Sequence, residues 1–203
     1  IKGYRASHSA ERRKLLKDFG LNIYRPKRPG SFWVRTTALG SYREVGRACH
    51  LVTTNESRVM IDVGVNIASD TDPMPYFTAP EALPMEKMDA VILTHAHLDH
   101  AGMLPVLFRY GYRGPVYCTP PTRDMMLLLQ SDYLKVGGAE GKRAPYDMED
   151  IRTCMRHVVD VDWGQTVDIA PDMKLTFHNA GHILGSSSVH LHVGDGKHNI
   201  VFS

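Results

Sequence analysis

The sequence predicts an α+β fold in which central β-sheets are covered by helices on the outside. Strand-like segments come first, strands alternate with helices in the middle of the chain, and strands return in the last third. The apolar run Ala90–Leu93 lacks any alternation with polar residues, which is typical of a strand buried on both faces. This order of elements favours sheets packed in the middle with helices outside them.

The composition is that of an ordinary globular protein. The chain has 203 residues, of which 43% are hydrophobic and 23% charged, enough for one domain with a sizeable core. It lacks the run of about 18 apolar residues that would cross a membrane, so we expect no membrane partner. Three widely spaced cysteines predict buried thiols and a cytoplasmic protein. Since Ile1 stands first and no leader is evident after it, we expect a piece of a longer protein.

The charge is unevenly distributed along the chain. Residues 1–47 hold twelve Lys and Arg against three Asp and Glu, a net charge of +9, whereas the remainder carries −7. A basic segment on an acidic body suggests an anionic partner, with nucleic acid first among the candidates. A solvated connector without a ligand would explain the same charges equally well.

The first half of the chain predicts one helix followed by strands. Residues 8–19 predict a short basic helix whose apolar side holds two leucines and Phe19, and the Pro-rich stretch Tyr24–Gly30 predicts a linker. Residues 69–88 contain four prolines and predict a long loop with room for a short helix. Segments rich in β-branched and apolar residues, separated by turn residues, predict strands at Phe32–Leu39, His50–Thr54 and Arg58–Val63.

In the second half of the chain, predicted strands alternate with predicted helices, and the last third contains strands alone. Besides Ala90–Leu93, the pattern predicts buried or half-buried strands at Val116–Thr119, Lys174–Asn179, Ser187–Val193 and Asn199–Ser203. Longer helical patterns occupy Gly102–Tyr110, Pro121–Val136 and Asp147–His157. Gly194–Lys197 has the residues of a hairpin turn.

Four potential metal ligands fall within six residues directly after the buried strand: His95, His97, Asp99 and His100. Imidazole nitrogen and carboxylate oxygen suit Zn²⁺ and related divalent ions. In an extended segment His95 and His97 project to the same side and can reach one ion, whereas Asp99 and His100 lie on the next turn and can reach a second. A run of surface histidines is the weaker interpretation of four ligands at this spacing.

The segment His95-Ala96-His97-Leu98-Asp99-His100 resembles the metal signature of the metallo-β-lactamase superfamily. The resemblance implies a four-layer αββα sandwich, present here in part, with the site at one edge of the two sheets. It implies that Asp62, in Ile61–Gly64, holds the histidine loop from behind. Without the resemblance, Asp62 is as readily a turn residue. His182, in Ala180–Gly185, is implied as the third histidine of the first ion.

Further segments resemble the β-CASP nucleases of this superfamily, and most of all the archaeal relatives of the cleavage and polyadenylation specificity factor endonuclease. The likeness covers about Phe32 to Ser203. In the archaeal proteins two KH-type RNA-binding domains precede this region. Residues 1–30 are therefore expected to be the end of the segment that connects the KH-type domains to this region. Residues 31–203 are expected to be the first part of the metallo-β-lactamase domain. The segments that carry the likeness are Gly40–Arg47, Tyr117–Pro120 through Tyr133–Leu134, and Gly181–Ser186.

The resemblance implies an endoribonuclease that cleaves single-stranded RNA in transcript 3′-end formation or transcription termination. Two zinc ions about 3.5–4 Å apart would activate hydroxide for attack on phosphorus. Asp99 would bind metal and orient or deprotonate the water, and Asp62 would support the site. Arg43 and Arg47 are candidates for RNA contact. The implied partners are single-stranded RNA, a second copy of the full-length chain and the transcription machinery.

Other parts of the family's site are expected beyond Ser203: the Asp that bridges the two ions, the β-CASP insert and a histidine general acid. We therefore expect the first zinc site, with three histidines, to fill, and the second, with Asp99 and His100 alone, to be weak or empty. The 203-residue chain by itself is expected to be inactive.

The other seven histidines are interpreted as structural or solvated. His190 and His192 alternate on one strand and mimic a His-x-His pair, but no third ligand lies near them in sequence, so one face of a strand is the better interpretation. The remaining five show no constellation: His8, His50, His157, His178 and His198.

Three alternatives stay open. A small-molecule metallo-hydrolase, of lactamase or thioesterase type, would share the metal ligands but would need no basic leader. A non-catalytic scaffold subunit of an RNA-processing complex would characteristically lose ligands that this chain retains. A DNA-directed repair nuclease of the β-CASP group has the same motif residues as an RNase.

Overall fold

The computed structural model describes residues 9–69, 71–139, 141 and 144–203. A 3₁₀ turn occupies Met85–Lys87. The helices are α1 (Ser9–Ile23), α2 (Leu98–Ala101), α3 (Leu104–Arg109), α4 (Pro120–Ala139) and α5 (Met148–His157). The strands are β1 (Val34–Gly40), β2 (Cys49–Thr54), β3 (Arg58–Ile61), β4 (Ala90–Ile92), β5 (Val116–Cys118), β6 (Val158–Asp160), β7 (Thr166–Ala170), β8 (Met173–Asn179), β9 (Ser187–Val193) and β10 (His198–Phe202).

Strands β1 to β6 form one mixed sheet in chain order. The first three are antiparallel neighbours, whereas β3, β4, β5 and β6 run parallel. The β3–β4 crossover contains the 3₁₀ turn, and the next two crossovers contain α-helices. Parallel strands end at the same edge of a sheet, and loops at that edge commonly build binding sites. The loops after β3 and β4 therefore meet at one edge.

Strands β7 to β10 form a second, antiparallel sheet with the order β10-β9-β8-β7. One core lies between the sheets and contains Ile61, Phe177 and Leu191. The other lies between the first sheet and its helices and contains Met60 and Leu104. Burying apolar side chains on both faces of the first sheet explains its unbroken apolar strands. Helices, sheet and sheet thus form three successive layers of an α+β sandwich, in agreement with a four-layer αββα arrangement present in part.

The predicted elements occur within a few residues of their expected bounds, with three differences. The helix expected at Gly102–Tyr110 begins inside the histidine signature, as α2, and is interrupted before α3. Strands β6 and β7 were not predicted. Strand β6 has three residues directly after α5 and is defined by its pairing with β5, so its own sequence gives little indication of a strand. The first residue of the helix expected at 8–19 lies outside the described residues.

Helix α1 packs against the body of the domain. Phe19 is buried, and its ring lies 5.6 Å from that of His157. The Arg12 guanidinium donates hydrogen bonds of 2.8 Å to the carbonyl oxygens of Arg156 and Val158, on α5 and β6. The division of the chain at residue 30 stays a prediction, but α1 makes direct contacts with elements beyond that division.

Part of the basic N-terminal charge is used within the fold. Arg25 pairs with Asp89 at 2.7 Å, and Lys27 pairs with Asp195 at 2.7 Å. These bridges join the basic segment to the acidic remainder of the chain. The uneven charge is therefore partly a device for holding the molecule together, and it demands an external anion less than the sequence suggests.

Two further features concern the whole chain. Cys49, Cys118 and Cys154 are buried free thiols, and burial raises the pKa of Cys49 and of Cys154. Among the described helices, none combines the length and the apolar character needed to cross a membrane.

Candidate metal centre

Three histidines converge where the first and second sheets meet. His95 and His97 lie on the loop between β4 and α2, and His182 lies on the turn between β8 and β9. Their ligand atoms all lie within 4.8 Å of one another. Nδ1 of His97 and Nε2 of His182 are 3.3 Å apart. Two nitrogens each about 2.0–2.1 Å from one tetrahedral ion would have nearly this separation, so the three imidazoles fit a metal ion.

Asp99 and His100 form a neighbouring pair on the first turn of α2. Nε2 of His100 lies 3.6 Å from Oδ2 of Asp99, and the ring centroids of His95 and His100 are 4.1 Å apart. The described residues contain one group of three convergent donors, the histidine triad, and this pair lies beside it. That Asp99 and His100 serve a different ion from His95 and His97 stays a prediction.

Asp62 supports this pair through hydrogen bonds. Its Oδ1 accepts a hydrogen bond from the backbone N–H of Thr94, and its Oδ2 accepts one from the Thr94 hydroxyl, both at 2.8 Å. Oδ2 also accepts the Nδ1–H of His100 at 2.8 Å. The residue is 3% exposed and has a φ of 59°, a left-handed conformation that Asp and Asn tolerate better than most residues. The carboxylate thus lies behind the ligands.

The backbone after Asp62 runs against the histidine loop. The Val63 N–H donates to the His100 carbonyl at 2.7 Å, and the Ala48 N–H donates to the Asp99 carbonyl at 2.9 Å. A Cβ on Gly64 would lie 1.6 Å from the Asp99 carbonyl oxygen. Only glycine permits this approach, which explains the glycine two residues after the supporting aspartate.

The turn that carries His182 is held by residues the sequence did not single out. Oγ of Ser186 accepts the backbone N–H groups of His182 and Ile183 at 3.0 and 3.1 Å. The Gly185 carbonyl accepts hydrogen bonds from the hydroxyls of Thr119 and Thr122, at 2.7 and 3.0 Å. Both threonines are buried. Thr119 lies within Tyr117–Pro120, one of the segments that resemble the β-CASP nucleases, but nothing in the neighbouring sequence indicates that it supports the His182 turn.

The lowered pKa of His95 suits metal binding, whereas the raised pKa of His100 makes a proton compete with a metal ion there. Burial, together with the neighbouring His100, lowers the pKa of His95 to about 4. His95 is therefore neutral at pH 7, the form that can bind a metal. Burial would lower the pKa of His100 too, but the hydrogen bond and charge of Asp62, with the charge of Asp99, raise it overall.

The two arginines proposed for RNA contact differ in placement. Arg43 is exposed on the loop between β1 and β2. Arg47 is 8% exposed, its guanidinium is paired with Glu44 and Asp72, and it lies over the Tyr76 ring at 4.8 Å. The acidic partners raise the pKa of Arg47. An RNA phosphate would have to displace these partners, so the prediction stands better for Arg43.

His190 and His192 share one face of β9, with ring centroids 4.1 Å apart. Nε2 of His190 lies 3.0 Å from the Asn199 side-chain oxygen, and Nε2 of His192 lies 3.2 Å from the Thr176 hydroxyl. Within the described part of the chain they do not join a group of three donors. This placement agrees with the strand-face interpretation.

Comparison with known proteins shows the family to which the chain belongs. Residues 51–203 match the model of the family described as metallo-beta-lactamase superfamily domain. Proteins named transcription termination factor FttA match along the whole chain, with 53% identity over 203 residues in Methanosarcina mazei and 44% over 203 residues in Lokiarchaeum. The chain covers 32% of each, so it spans about a third of the length of these relatives.

Solved structures show the same fold at low sequence identity. A metallo-beta-lactamase mutant from Cronobacter sakazakii aligns with a TM-score of 0.56 and 21% identity, covering 88% of this chain and 64% of that one. The metallo-beta-lactamase fold protein YhfI from Bacillus subtilis aligns with a TM-score of 0.52 and 20% identity, covering 83% of this chain and 60% of that one. At these identities the likeness shows the fold alone.

Proposed function

The chain belongs to the metallo-β-lactamase superfamily, and from this premise we propose that it carries the metal-binding part of an endoribonuclease acting in transcription termination. One observation carries the proposal: the ligand atoms of His95, His97 and His182 converge within 4.8 Å beside a second pair of ligands. The ligand set supports hydrolytic chemistry. The relatives named as transcription termination factors support the cellular process.

Zinc is the metal that this ligand set fits best. Three neutral imidazoles that leave a fourth position open are typical of catalytic zinc sites. We propose that His95, His97 and His182 hold the first ion and that Asp99 and His100 contribute to a second. Bound zinc lowers the pKa of water toward about 7 and neutralises charge that develops on phosphate oxygens.

The protein side chains have separate tasks in this proposal. Asp99 lies at the rim of the centre, where its carboxylate can orient the attacking water and accept its proton. Asp62 keeps the proton of His100 on Nδ1, so that Nε2 presents a lone pair toward Asp99. The Thr94 hydrogen bonds keep the Asp62 carboxylate in place. Asp62 is thus a positioning residue, since it acts through His100.

Aromatic side chains beside the centre favour a nucleic-acid substrate. A cavity of about 630 Å³ opens on His95, His100 and His182 and is also lined by His50 and Phe202. The His50 ring lies 5.3 Å from Phe202 and 5.8 Å from the exposed Tyr42. Aromatic rings next to a backbone-binding groove are typical of proteins that hold single strands by stacking on bases. We propose that RNA bases stack on this row.

The test uses the full-length natural protein with zinc and a single-stranded RNA labelled at its 5′ end. We expect internal cleavage that disappears in His97→Ala and persists in His190→Ala, a matched loss of an imidazole outside the centre. Cleavage that survives in His97→Ala would exclude this centre as the site of the chemistry. Hydrolysis of a lactam or thioester without RNA cleavage would support the small-molecule alternative.

Absence of any hydrolysis by zinc-loaded protein would support a scaffold role, and cleavage of single-stranded DNA alone would support the repair nuclease. A second copy of the full-length chain and the transcription machinery remain proposed partners. Light scattering of the full-length protein tests the first, and co-purification with RNA polymerase tests the second.

A further inference from the structure

A polar groove of about 590 Å³ lies at the end of the first sheet opposite to the metal centre. Strand β3 connects the two, since Arg58 begins it in the wall of the groove and Asp62 comes directly after its end, beside His100. At about 3.3 Å per residue, the four steps from Arg58 to Asp62 span about 13 Å. The groove is therefore separate from the metal centre.

A row of three residues across β1, β2 and β3 forms one wall. Arg35 pairs in register with Thr53, and Thr53 pairs with Arg58. Residues paired across antiparallel strands project from the same face, so two arginines flank one threonine. Arg58 donates to the Leu83 carbonyl at 2.8 Å, and Arg35 lies 3.8 Å from Glu81. A guanidinium has five N–H donors, so each arginine keeps donors for a ligand.

Two more cations line the groove. Among the residues that the structure describes, neither the Arg28 side chain nor Lys87 makes an ion pair, and both are exposed. Of the acids in the lining, Asp89 is engaged by Arg25 at 2.7 Å, whereas Glu86 is exposed. The lining holds five Lys and Arg side chains against four Asp and Glu side chains, a net charge of +1, and Arg28 and Lys87 are the cations that a phosphate would meet outside an ion pair.

An exposed indole lies among these cations. Trp33 is 41% exposed, and the Arg35 guanidinium lies 5.4 Å from the centre of its ring. Part of the indole is therefore open to a stacking partner. Aromatic faces flanked by arginine are typical of surfaces on which nucleic-acid bases stack.

The end of β2 and the turn after it contribute polar side-chain atoms without hydrogen-bond partners, one hydroxyl and two acceptor oxygens. Within the described part of the chain, Thr53 Oγ1, Asn55 Oδ1 and Glu56 Oε2 are buried and have no hydrogen-bond partner, and all three residues line the groove. Glu56 is 7% exposed, and its other oxygen accepts the backbone N–H of Arg28 at 2.7 Å. Buried acceptors without donors are unfavourable. A ligand that brings N–H groups, as nucleobases do, fits this wall better than a simple anion.

We propose that this groove is a second RNA-binding site, which holds a single-stranded segment away from the metal centre. Phosphates bind Arg28, Arg58 and Lys87, and a base stacks on Trp33. Base N–H groups donate hydrogen bonds to the side-chain oxygens of the turn at Glu56. The proposal rests on RNA being the substrate, as proposed above, but it does not depend on the metal chemistry.

The experiment uses the chain's two tryptophans, Trp33 and Trp163. In the variant Trp163→Phe, Trp33 is the single fluorescent reporter. A 12-nucleotide oligouridine is titrated into this variant in EDTA, so that cleavage cannot occur. We expect saturable quenching of Trp33. By fluorescence anisotropy of a labelled RNA, Trp33→Ala should bind about five- to hundredfold more weakly, because stacking of one base is lost.

The salt dependence separates direct contact from a change in fold. For single strands each phosphate contact contributes about −0.7 to the slope of log affinity against log salt. The double variant Arg28→Gln with Lys87→Gln should therefore lower the slope by about 1.4 in magnitude. The control, Lys14→Gln with Lys17→Gln, removes the same charge from exposed positions on α1 and should leave the slope unchanged.

Three results would overturn the proposal: no change in Trp33 fluorescence at saturating RNA, equal losses in the groove and α1 variants, or inorganic polyphosphate that quenches Trp33 as RNA does. The last result would mean that the groove binds charge alone. Because the titration excludes active metal, failure to find RNA cleavage would count against the proposed function and leave this result unaffected.

Discussion

Asp62 and His100 are joined by a 2.8 Å hydrogen bond from the histidine Nδ1–H to the carboxylate Oδ2, across 38 positions of sequence. The bond assigns the ring proton to Nδ1, which leaves the opposite nitrogen, Nε2, 3.6 Å from Asp99 as a ligand atom. A buried carboxylate that touches no substrate therefore decides which atom of a neighbouring ring can bind metal.

The substitution Asp62→Asn tests this relationship in the full-length protein. The amide keeps the size of the side chain and tolerates the left-handed backbone, but its NH₂ group would face His100 and favour the tautomer with the proton on Nε2. We expect affinity for the second zinc ion to fall about 10–100-fold, with the first site unchanged. Isothermal titration calorimetry measures both sites, and Asp195→Asn, in the β9–β10 turn, serves as the control. Equal loss at both sites would contradict this role.

Substitution of Gly64 by any residue with a side chain is expected to destabilise the fold. In Gly64→Ala the new Cβ would overlap the Asp99 carbonyl oxygen, a backbone atom that cannot rotate away. We expect the free energy of unfolding to fall by about 3 kcal/mol or more, measured by urea denaturation. Gly20→Ala, within α1 and with no atom within 4 Å of the new Cβ, should raise it by about 0.5–1 kcal/mol. A Gly64→Ala protein of unchanged stability would disprove the close approach.

Because Thr119 and Thr122 both donate to the Gly185 carbonyl, the effects of their substitution on the free energy of unfolding should be non-additive. With Thr119→Val or Thr122→Val alone, the other hydroxyl still donates to the carbonyl, so each should cost less than about 1 kcal/mol. The double variant leaves the buried carbonyl with only the longer hydrogen bond from the Ser187 hydroxyl, at 3.3 Å, and should cost about 1 kcal/mol beyond the sum. Its zinc affinity should also fall, since Gly185 ends the turn that carries His182. Thr36→Val, on the exposed face of β1, is the control, and simple additivity would contradict the shared acceptor.

Stability should depend on pH through His157. Burial lowers the pKa of His157 from its usual value of 6.5, and the ring packs against Phe19 and Phe108 while its Nδ1 lies 2.9 Å from the Gly114 carbonyl. As pH falls below about 6.5, the unfolded chain binds a proton at this histidine before the folded one does, so stability is lost.

The variant His157→Gln should therefore show a shallower loss of stability between pH 6.5 and 5, by at most about 1.4 kcal/mol per pH unit. Urea unfolding at several pH values measures the slope. The exposed His198→Gln is the comparison, and the same slope in His157→Gln and the unaltered protein would refute the assignment.

The sequence could predict the centre because most of its information is local. An unbroken apolar strand followed by four ligands within six residues specifies both a position in a sheet and a donor set, and Asp62 also ends a strand. The supports for His182 are different. Thr119 and Gly185 meet across 66 positions, and neither residue type is unusual where it stands. Such a contact exists only once the strands are assembled.

Arg47 is a second case in which the sequence alone is insufficient, because the direction of its side chain depends on the assembled fold. As a basic residue in a Gly-containing loop it suggested contact with RNA, because the sequence cannot show which way a loop side chain turns. In the fold it turns inward, where Glu44, Asp72 and the Tyr76 ring surround it. Strand β6 was missed for a related reason, since its three residues are defined by pairing with β5 rather than by their own pattern. In β7 the register shifts between Asp168 and Ala170, which breaks the alternation that would mark a strand.

The hydrogen bonds from Arg12 bear on the behaviour of the protein at high concentration. Val158 belongs to β6, the outermost strand of the first sheet, and an open strand of this kind is a template on which another chain can add. The guanidinium occupies one of its carbonyl groups, and α1 packs alongside. A protein shortened to begin after Ile23 would present that edge bare, so its first failure should be aggregation rather than loss of the fold.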